Sequence, residues 1–249
     1  MKRNLTRLFS LVIIATFCCT PGICAPSDSE AAKLLNNVIR AHGAQRALSC
    51  NSIVLDVDVL LNPQDGTPTN GQIFVKANLF RLEYDLSPTS RYRMGYDGNQ
   101  AWILASSAAK TPKTLDLLQV RLFQFYALIF SPRWIAFLKD QSGTLRYGGQ
   151  ETYRGAKTEV LQANVETIGN VDFLVESNTY LLKGIRFVFP GEKQPHYEIS
   201  YDSYVNTNGL KIAKTIDIFR NNLLYREYKI KAAKPCNEVA DAVFAPDIK

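Results

Sequence analysis

The chain has 249 residues, 46% of them hydrophobic and 21% charged, which is enough apolar material for a buried core and excludes a disordered polymer. Its formal charge is +6, but Lys2, Arg3 and Arg7 lie in a leader-like segment, and removing them halves that charge. The remainder is a weak footprint for nucleic acid, so no nucleic-acid partner is expected.

The three leader cations precede an apolar stretch from Leu8 to Cys18, followed by Gly22-Ile23-Cys24-Ala25, which has the small residue at −3 that a signal peptidase requires. Cleavage is expected after Cys24, leaving residues 25–249 as one exported, soluble, periplasmic domain. Ile23 argues against lipid attachment at Cys24, since lipidation needs a small residue just before the cysteine. Export also removes Cys18, Cys19 and Cys24 and leaves Cys50 and Cys236, an even pair in an oxidising compartment. The two readings are a disulfide and a pair of buried thiols; the compartment favours the disulfide.

Ser27-Asp28-Ser29-Glu30 has the spacing of a capping box and opens an amphipathic helix to about Ala41, with Leu34, Leu35 and Val38 on its buried stripe and Gly43 as its stop. Ala44 to Leu48 can add one more turn. Ile53, Leu55, Val57 and Val59 then alternate with Asp56 and Asp58, the period-two pattern of a strand with one wet face. Asn62 to Gly71 is a loop by composition. Ile73, Val75 and Ala77 make a second strand, and Phe80, Leu82, Tyr84 and Leu86 make a third against Arg81, Glu83 and Asp85. Ser87-Pro88 turns the chain into Arg91–Tyr96, and Asp97-Gly98 predicts a hairpin into a strand carrying Trp102. Ser106 to Thr114 reads as a polar linker.

Leu115 to Leu138 interrupts this β pattern. Leu115, Leu118, Leu122, Phe125 and Ile129 recur at helical spacing, and Leu117, Val120, Phe123 and Leu128 form a second apolar face. Arg121, Gln124 and Ser131-Pro132 make it too broken for a membrane span. A helix apolar nearly all round has to be surrounded by protein or by ligand. Ser131 is the expected N-cap of a second short helix, Arg133 to Lys139, carrying Trp134 and Phe137. From Thr144 the pattern is β again, with turns expected at Gly148-Gly149, Gly169-Asn170, Pro190-Gly191, Asn206 to Gly209 and Asn221-Asn222. The fold class is therefore α+β: an unclosed antiparallel half-barrel of about eleven strands wrapped around a central helical pair, with one N-terminal helix.

No nucleophile elbow, phosphate loop or dinucleotide fingerprint is present. His42 and His196 are the only histidines, too few for a usual zinc site, and His42 is expected at a helix end where a cation suits the dipole. Asp56 with Asp58 and Glu83 with Asp85 read as solvated strand faces. No catalytic residue, cofactor or metal is expected. The aromatics Phe74, Phe80, Tyr84, Trp102, Phe123, Phe125, Tyr126 and Trp134 gather on the first strands and the central helix. They are either plain core or the lining of a cavity that the helices fill incompletely, a site for an apolar ligand.

Gly71-Gln72-Ile73-Phe74-Val75-Lys76-Ala77-Asn78-Leu79-Phe80-Arg81-Leu82, followed by Tyr96-Asp97-Gly98-Asn99-Gln100-Ala101-Trp102, resembles the front half of the LolA/LolB-like lipoprotein-sorting superfamily. That superfamily includes the lipoprotein carriers, the mycobacterial lipid carrier LppX and the envelope-stress sensor RseB. Gly149 to Gly155, Tyr201-Asp202-Ser203-Tyr204, Asn208 to Ile212 and Asp241-Ala242-Val243-Phe244 are similar to its C-terminal motifs. The carriers have Arg-Pro before Asn-Leu-Phe, and that arginine fastens the helical lid; here Lys76-Ala77 stand before Asn78 and the latch has no counterpart. The resemblance implies a monomeric carrier for lipid or lipoprotein acyl chains, working with a donor or acceptor protein at the inner or outer membrane. An envelope sensor using the same cavity and, further off, a lipid hydrolase are the alternatives. The expected groove residues are Phe74, Leu82, Tyr84, Trp102, Leu118, Leu122, Phe125, Ile129 and Trp134.

Overall fold

The computed structural model describes residues 28–61, 66–105, 111–166, 168–189 and 195–246. The expected leader, Ser27, most of the Ser106–Thr114 linker and the Pro190-Gly191 turn lie outside them. The chain opens with α1 (Ser29–Ala41) and α2 (Gln45–Ser49) and then forms a six-strand meander. Its strands are β1 (Ser52–Leu60), β2 (Thr69–Lys76), β3 (Leu79–Ser87), β4 (Ser90–Tyr96), β5 (Ala101–Leu104) and the short β6 (Lys113–Thr114). The helical pair α3 (Leu117–Ile129) and α4 (Arg133–Asp140) follows. The second half contains β7 (Arg146–Tyr153), β8 (Ala156–Val165), β9 (Gly169–Glu176), β10 (Leu182–Val188), β11 (His196–Asp202), β12 (Val205–Thr207), β13 (Leu210–Ile212), β14 (Thr215–Arg220) and β15 (Leu223–Pro235). A 3-10 turn, Asp241–Phe244, closes the described chain.

Thirteen of these strands form one antiparallel sheet, in the order β6-β5-β4-β3-β2-β1-β15-β14-β11-β10-β9-β8-β7, and β12 pairs with β13 apart from it. Of the fifteen strands among the described residues, β6, β12 and β13 are two- and three-residue pieces with no periodicity to read, and the other twelve stand close to the expected eleven. The sheet is open, with β6 and β7 as its free edges. α3 and α4 connect those two edges in sequence, and Phe80 of β3 and Phe187 of β10 both pack against α3, so the linking segment crosses the concave side. That packing places the helical pair in the hollow of the half-barrel.

The two halves of the sheet meet where the first strand pairs with the last, Ile53 opposite Pro235 and Val59 opposite Tyr228. The Cys50–Cys236 disulfide fastens this seam, with Cα atoms 5.0 Å apart across 186 residues of sequence. Beside it the Cys236 N–H donates to the Ser52 carbonyl (2.8 Å) and the Ser52 hydroxyl to the Asn237 carbonyl (2.7 Å).

Several local expectations are corrected. Asp28, rather than Ser27, caps α1: its carboxylate accepts the N–H groups of Glu30 and Ala31, and its other oxygen accepts the Tyr147 N–H of β7 at 2.7 Å. These backbone donors, Tyr147 first, hold its pKa below the usual carboxylate range. The second short helix starts at Arg133 with Pro132 in the cap position; the Ser131 hydroxyl donates to the Ala127 carbonyl at 2.7 Å and accepts the Arg133 N–H only at 3.4 Å. Asp116 and Gln119 form the real capping box, at the start of α3. Ala77 leaves β2 and takes a positive φ of 52° in the turn to β3. Gly148-Gly149 is a bulge inside β7, and the turn falls at Arg154-Gly155. Asn221 and Asn222 do form the β14–β15 turn, both at positive φ.

His42 is the largest correction. It follows α1 but is only 2% exposed, packed edge-on against Trp134 (4.9 Å) and Tyr204 (5.5 Å). Its Nε2 accepts the Leu182 N–H at 3.1 Å, so that nitrogen carries no proton. Burial pushes its pKa down to about 3, and the residue is a neutral core imidazole instead of a helix-end cation.

Candidate functional site

Antiparallel pairing sorts the front half of the sheet into rows. Ile53, Val75, Phe80, Tyr96 and Ala101 stand opposite one another along one row, and Leu55, Ile73, Leu82, Met94 and Ile103 along another. Directly paired residues share a face, and these ten all pack into the main core against α3 and α4. The row between them, Val54, Phe74, Arg81, Gly95 and Trp102, points to the opposite, convex face. There the C-terminal tail covers it: Phe74 packs with Val54, Val239 and Phe244, and the Trp102 indole N–H donates to the Phe244 carbonyl at 3.0 Å.

The expected groove residues therefore divide. Leu82, Tyr84, Leu118, Leu122, Phe125, Ile129 and Trp134 all belong to the concave core. Phe74 and Trp102 are behind the sheet, out of phase with Ile73 and Val75 and with Ala101 and Ile103. Gly95 makes room for Trp102; a Cβ there would stand 2.8 Å from the indole. The convex face of β3 is also less wet than its alternation implies. Arg81 and Glu83 are both buried and paired at 2.8 Å, and Arg91 reaches the other Glu83 oxygen at 3.0 Å. The tail lies over this network, with Arg81 donating to the Val243 carbonyl at 2.7 Å.

On the concave side α3 is gripped by rings from both walls. Phe80 of β3 lies 6.0 Å from Phe123, 5.6 Å from Tyr126 and 6.0 Å from Phe130, while Phe187 of β10 meets Phe125 at 4.6 Å. Such pairs are individually modest, about 0.5–1.5 kcal/mol beyond burial. Polar ties from α3 to the sheet are few among the described residues: Gln124 donates to the Tyr96 hydroxyl at 3.1 Å, and Tyr201 donates to the Ile129 carbonyl at 3.1 Å. Leu118, Val120, Leu122 and Leu128 remain only partly buried, and Leu117 is 67% exposed. A partly open apolar pocket of about 40 Å³ lies beneath the α3–α4 joint, bordered by His42, Ile129, Trp134, Tyr201 and Tyr204. It has room for roughly one water and not for an acyl chain. The helices fill the hollow.

One end of the half-barrel is framed by apolar side chains. β1 and β3 finish there, β10 finishes there and β15 begins there, as the antiparallel order requires. Leu86, Leu223 and Tyr225, from the end of β3 and the start of β15, are exposed there. Just inside this rim stand Tyr84 and Tyr92, stacked at 4.9 Å, and Arg226. Arg226 is opposite Ile218, and Tyr228, two residues on, is opposite Val59 and Ile216, so the arginine faces the hollow. Sequence reasoning missed it. Its signal is phase: in Leu223 to Ile230, Arg226 alternates in step with Tyr228 and Ile230, not with Glu227 and Lys229.

Among the described residues no group of three or more His, Cys, Asp or Glu side chains is arranged to hold a metal ion, and no helix is long and apolar enough to cross a membrane.

No protein-family model matches the chain, and no curated protein matches its sequence. Solved structures do match its shape. A LolA superfamily protein from Nitrosomonas europaea superposes with a TM-score of 0.56 at 15% identity, over 87% of this chain and 98% of that one. The chain has the LolA-superfamily fold. A putative outer membrane lipoprotein-sorting protein domain from Vibrio parahaemolyticus superposes with a TM-score of 0.56 at 11% identity, over 86% of this chain and 97% of its own. A DUF1329 family protein from Desulfovibrio piger also superposes at 0.56, with 9% identity over 86% of this chain and 97% of that one. At such identities the shared property is the fold.

Proposed function

We propose that this LolA-type half-barrel binds the acyl chains of lipids or lipoproteins on its concave face and carries them through the periplasm as a monomer, without catalysing a reaction. The observation that carries the reading is α3. It is a helix apolar on both sides, it occupies the hollow, and aromatic faces hold it with few polar ties. An acyl chain offers the same kind of surface. Each methylene it shields contributes roughly 0.8 kcal/mol, so a long chain can replace the contacts that α3 gives up. Loading on this reading displaces α3 toward solvent, where partly exposed Leu117, Leu118 and Leu122 already point. Directed release then falls to a partner that accepts the ligand or opens the helical lid.

Native mass spectrometry of the protein purified from an envelope fraction tests this. An acyl lipid is expected to copurify and to exchange for a fluorescent fatty-acyl probe. Protein that carries no lipid and takes up no probe would refute the reading.

A further inference from the structure

A cation on an apolar concave face is costly unless something compensates it. Other arginines of the sheet are compensated: Arg154 pairs with Glu198 at 2.6 Å, and Arg186 with Glu151 and Asp172 at 3.0 Å each. Among the described residues Arg226 makes no ion pair with any carboxylate. Its guanidinium has two long contacts of 3.5 Å, to the hydroxyls of Tyr228 and Tyr225, and lies 5.0 Å from the Tyr225 ring centroid. The nearby Tyr84, Tyr92 and Tyr126 do not neutralise it, because burial raises the Tyr84 hydroxyl to about 12 and raises Tyr92 and Tyr126 as well, so all three stay protonated. They are hydrogen-bond donors beside a fixed cation, just inside a rim that carries exposed Leu86 and Leu223.

We propose that Arg226 is the headgroup site for an acyl ligand that ends in an oxyanion, a carboxylate or a phosphate, the chain running inward between α3 and the sheet. The proposal rests on the acyl-carrier reading and adds the class of ligand. The guanidinium fork matches a carboxylate or phosphate edge, and the half-buried position strengthens the pair relative to open water. The apolar rim admits the chain, and the head stops at the first charge it meets.

The test compares a dansyl-labelled undecanoic acid with its methyl ester on the full exported chain. The wild-type protein is expected to bind the acid about tenfold more tightly than the ester, the ratio that one charge-assisted contact provides. Arg226→Gln should lower acid binding by about that factor and leave the ester unchanged. Arg226→Lys should keep part of the preference, since it keeps the charge without the fork. Palmitate and lysophosphatidate serve as competitors to tell carboxylate from phosphate heads, and inorganic phosphate should displace nothing. Equal binding of acid and ester by wild type leaves the carrier reading intact and overturns the headgroup site, whether or not the Gln variant folds. A preference that survives Arg226→Gln, displacement by inorganic phosphate, or displacement by neither lipid competitor also overturns it. If neither probe binds, the carrier reading itself fails and this site goes with it.

Discussion

Phe125 of α3 meets Phe187 of β10 edge-on at 4.6 Å, on the wall of the half-barrel opposite the one where Phe80 holds Phe123 and Tyr126. The helix is thus wedged between two walls, and its residues differ in what they do there. Phe125 is 1% exposed, whereas Leu122 is only partly buried. Truncating a filled aromatic site costs roughly 3–5 kcal/mol, so Phe125→Ala is expected to lower the melting temperature steeply. Leu122→Gln should leave the fold standing and weaken uptake of an acyl probe. Thermal melts alongside probe titrations separate the two, and a Leu122→Gln protein with wild-type uptake would remove that face of α3 from the site.

Trp102 offers a control from the other side of the sheet. Trp102→Phe removes the N–H that the Phe244 carbonyl accepts and leaves that oxygen short of a donor, at a cost of about 1–3 kcal/mol. Because the indole lies behind the concave face, acyl-probe affinity should not change. A loss of affinity in a folded Trp102→Phe protein would show that the ligand reaches the convex face.

Reduction should be more damaging than either. The disulfide closes a loop of 186 residues, and the chain-entropy relation puts its contribution at about 5 kcal/mol. Cys50→Ser and Cys236→Ser are each expected to lower stability by a few kcal/mol. Thiol labelling of unreduced, denatured protein should find no free thiol at either position.

His42 gives a pH dependence of definite sign. Its folded-state pKa is about 3, below the ordinary value of 6.5, so between those limits the unfolded chain binds the extra proton. Stability contributed by this residue is complete above pH 6.5 and falls as the pH drops, by about 2 kcal/mol at pH 5. In His42→Gln an amide can still accept the Leu182 N–H without titrating. Its stability should decline less between pH 7 and pH 5 than that of wild type, as measured by urea unfolding at both values. Parallel declines would assign the effect to other groups.

Much of the frame was legible because it is local. The alternation of Phe80, Leu82 and Tyr84, the Asp97-Gly98 turn and the two-sided apolar stretch at Leu117–Ile129 each impose an element without help from distant residues. What stayed hidden depends on which face of a strand is covered. Phe74 and Trp102 look like groove residues until it is known that the tail at Val239 to Phe244 folds back to bury them. Glu83 looks solvated for the same reason. Arg226 was obscured by its charged neighbours Glu227 and Lys229, which pair with each other at 3.0 Å. His42 was misread because a helix end usually faces water, and this one is roofed by Trp134 and Tyr204.

The pairing of the first strand with the last has a consequence for how the molecule is made. β1, with its run of Ile53, Leu55, Val57 and Val59, finds β2 early, but its other edge has no partner until residues 223–235 exist. Until then the nascent chain holds two half-sheets, each with a long apolar margin at what will become the middle. Contacts this distant in sequence form slowly, and exposed strand margins invite association between chains in the meantime. A chain cut short before Leu223 would lack its centre and keep its periphery, and is expected to aggregate instead of persisting as a smaller folded protein.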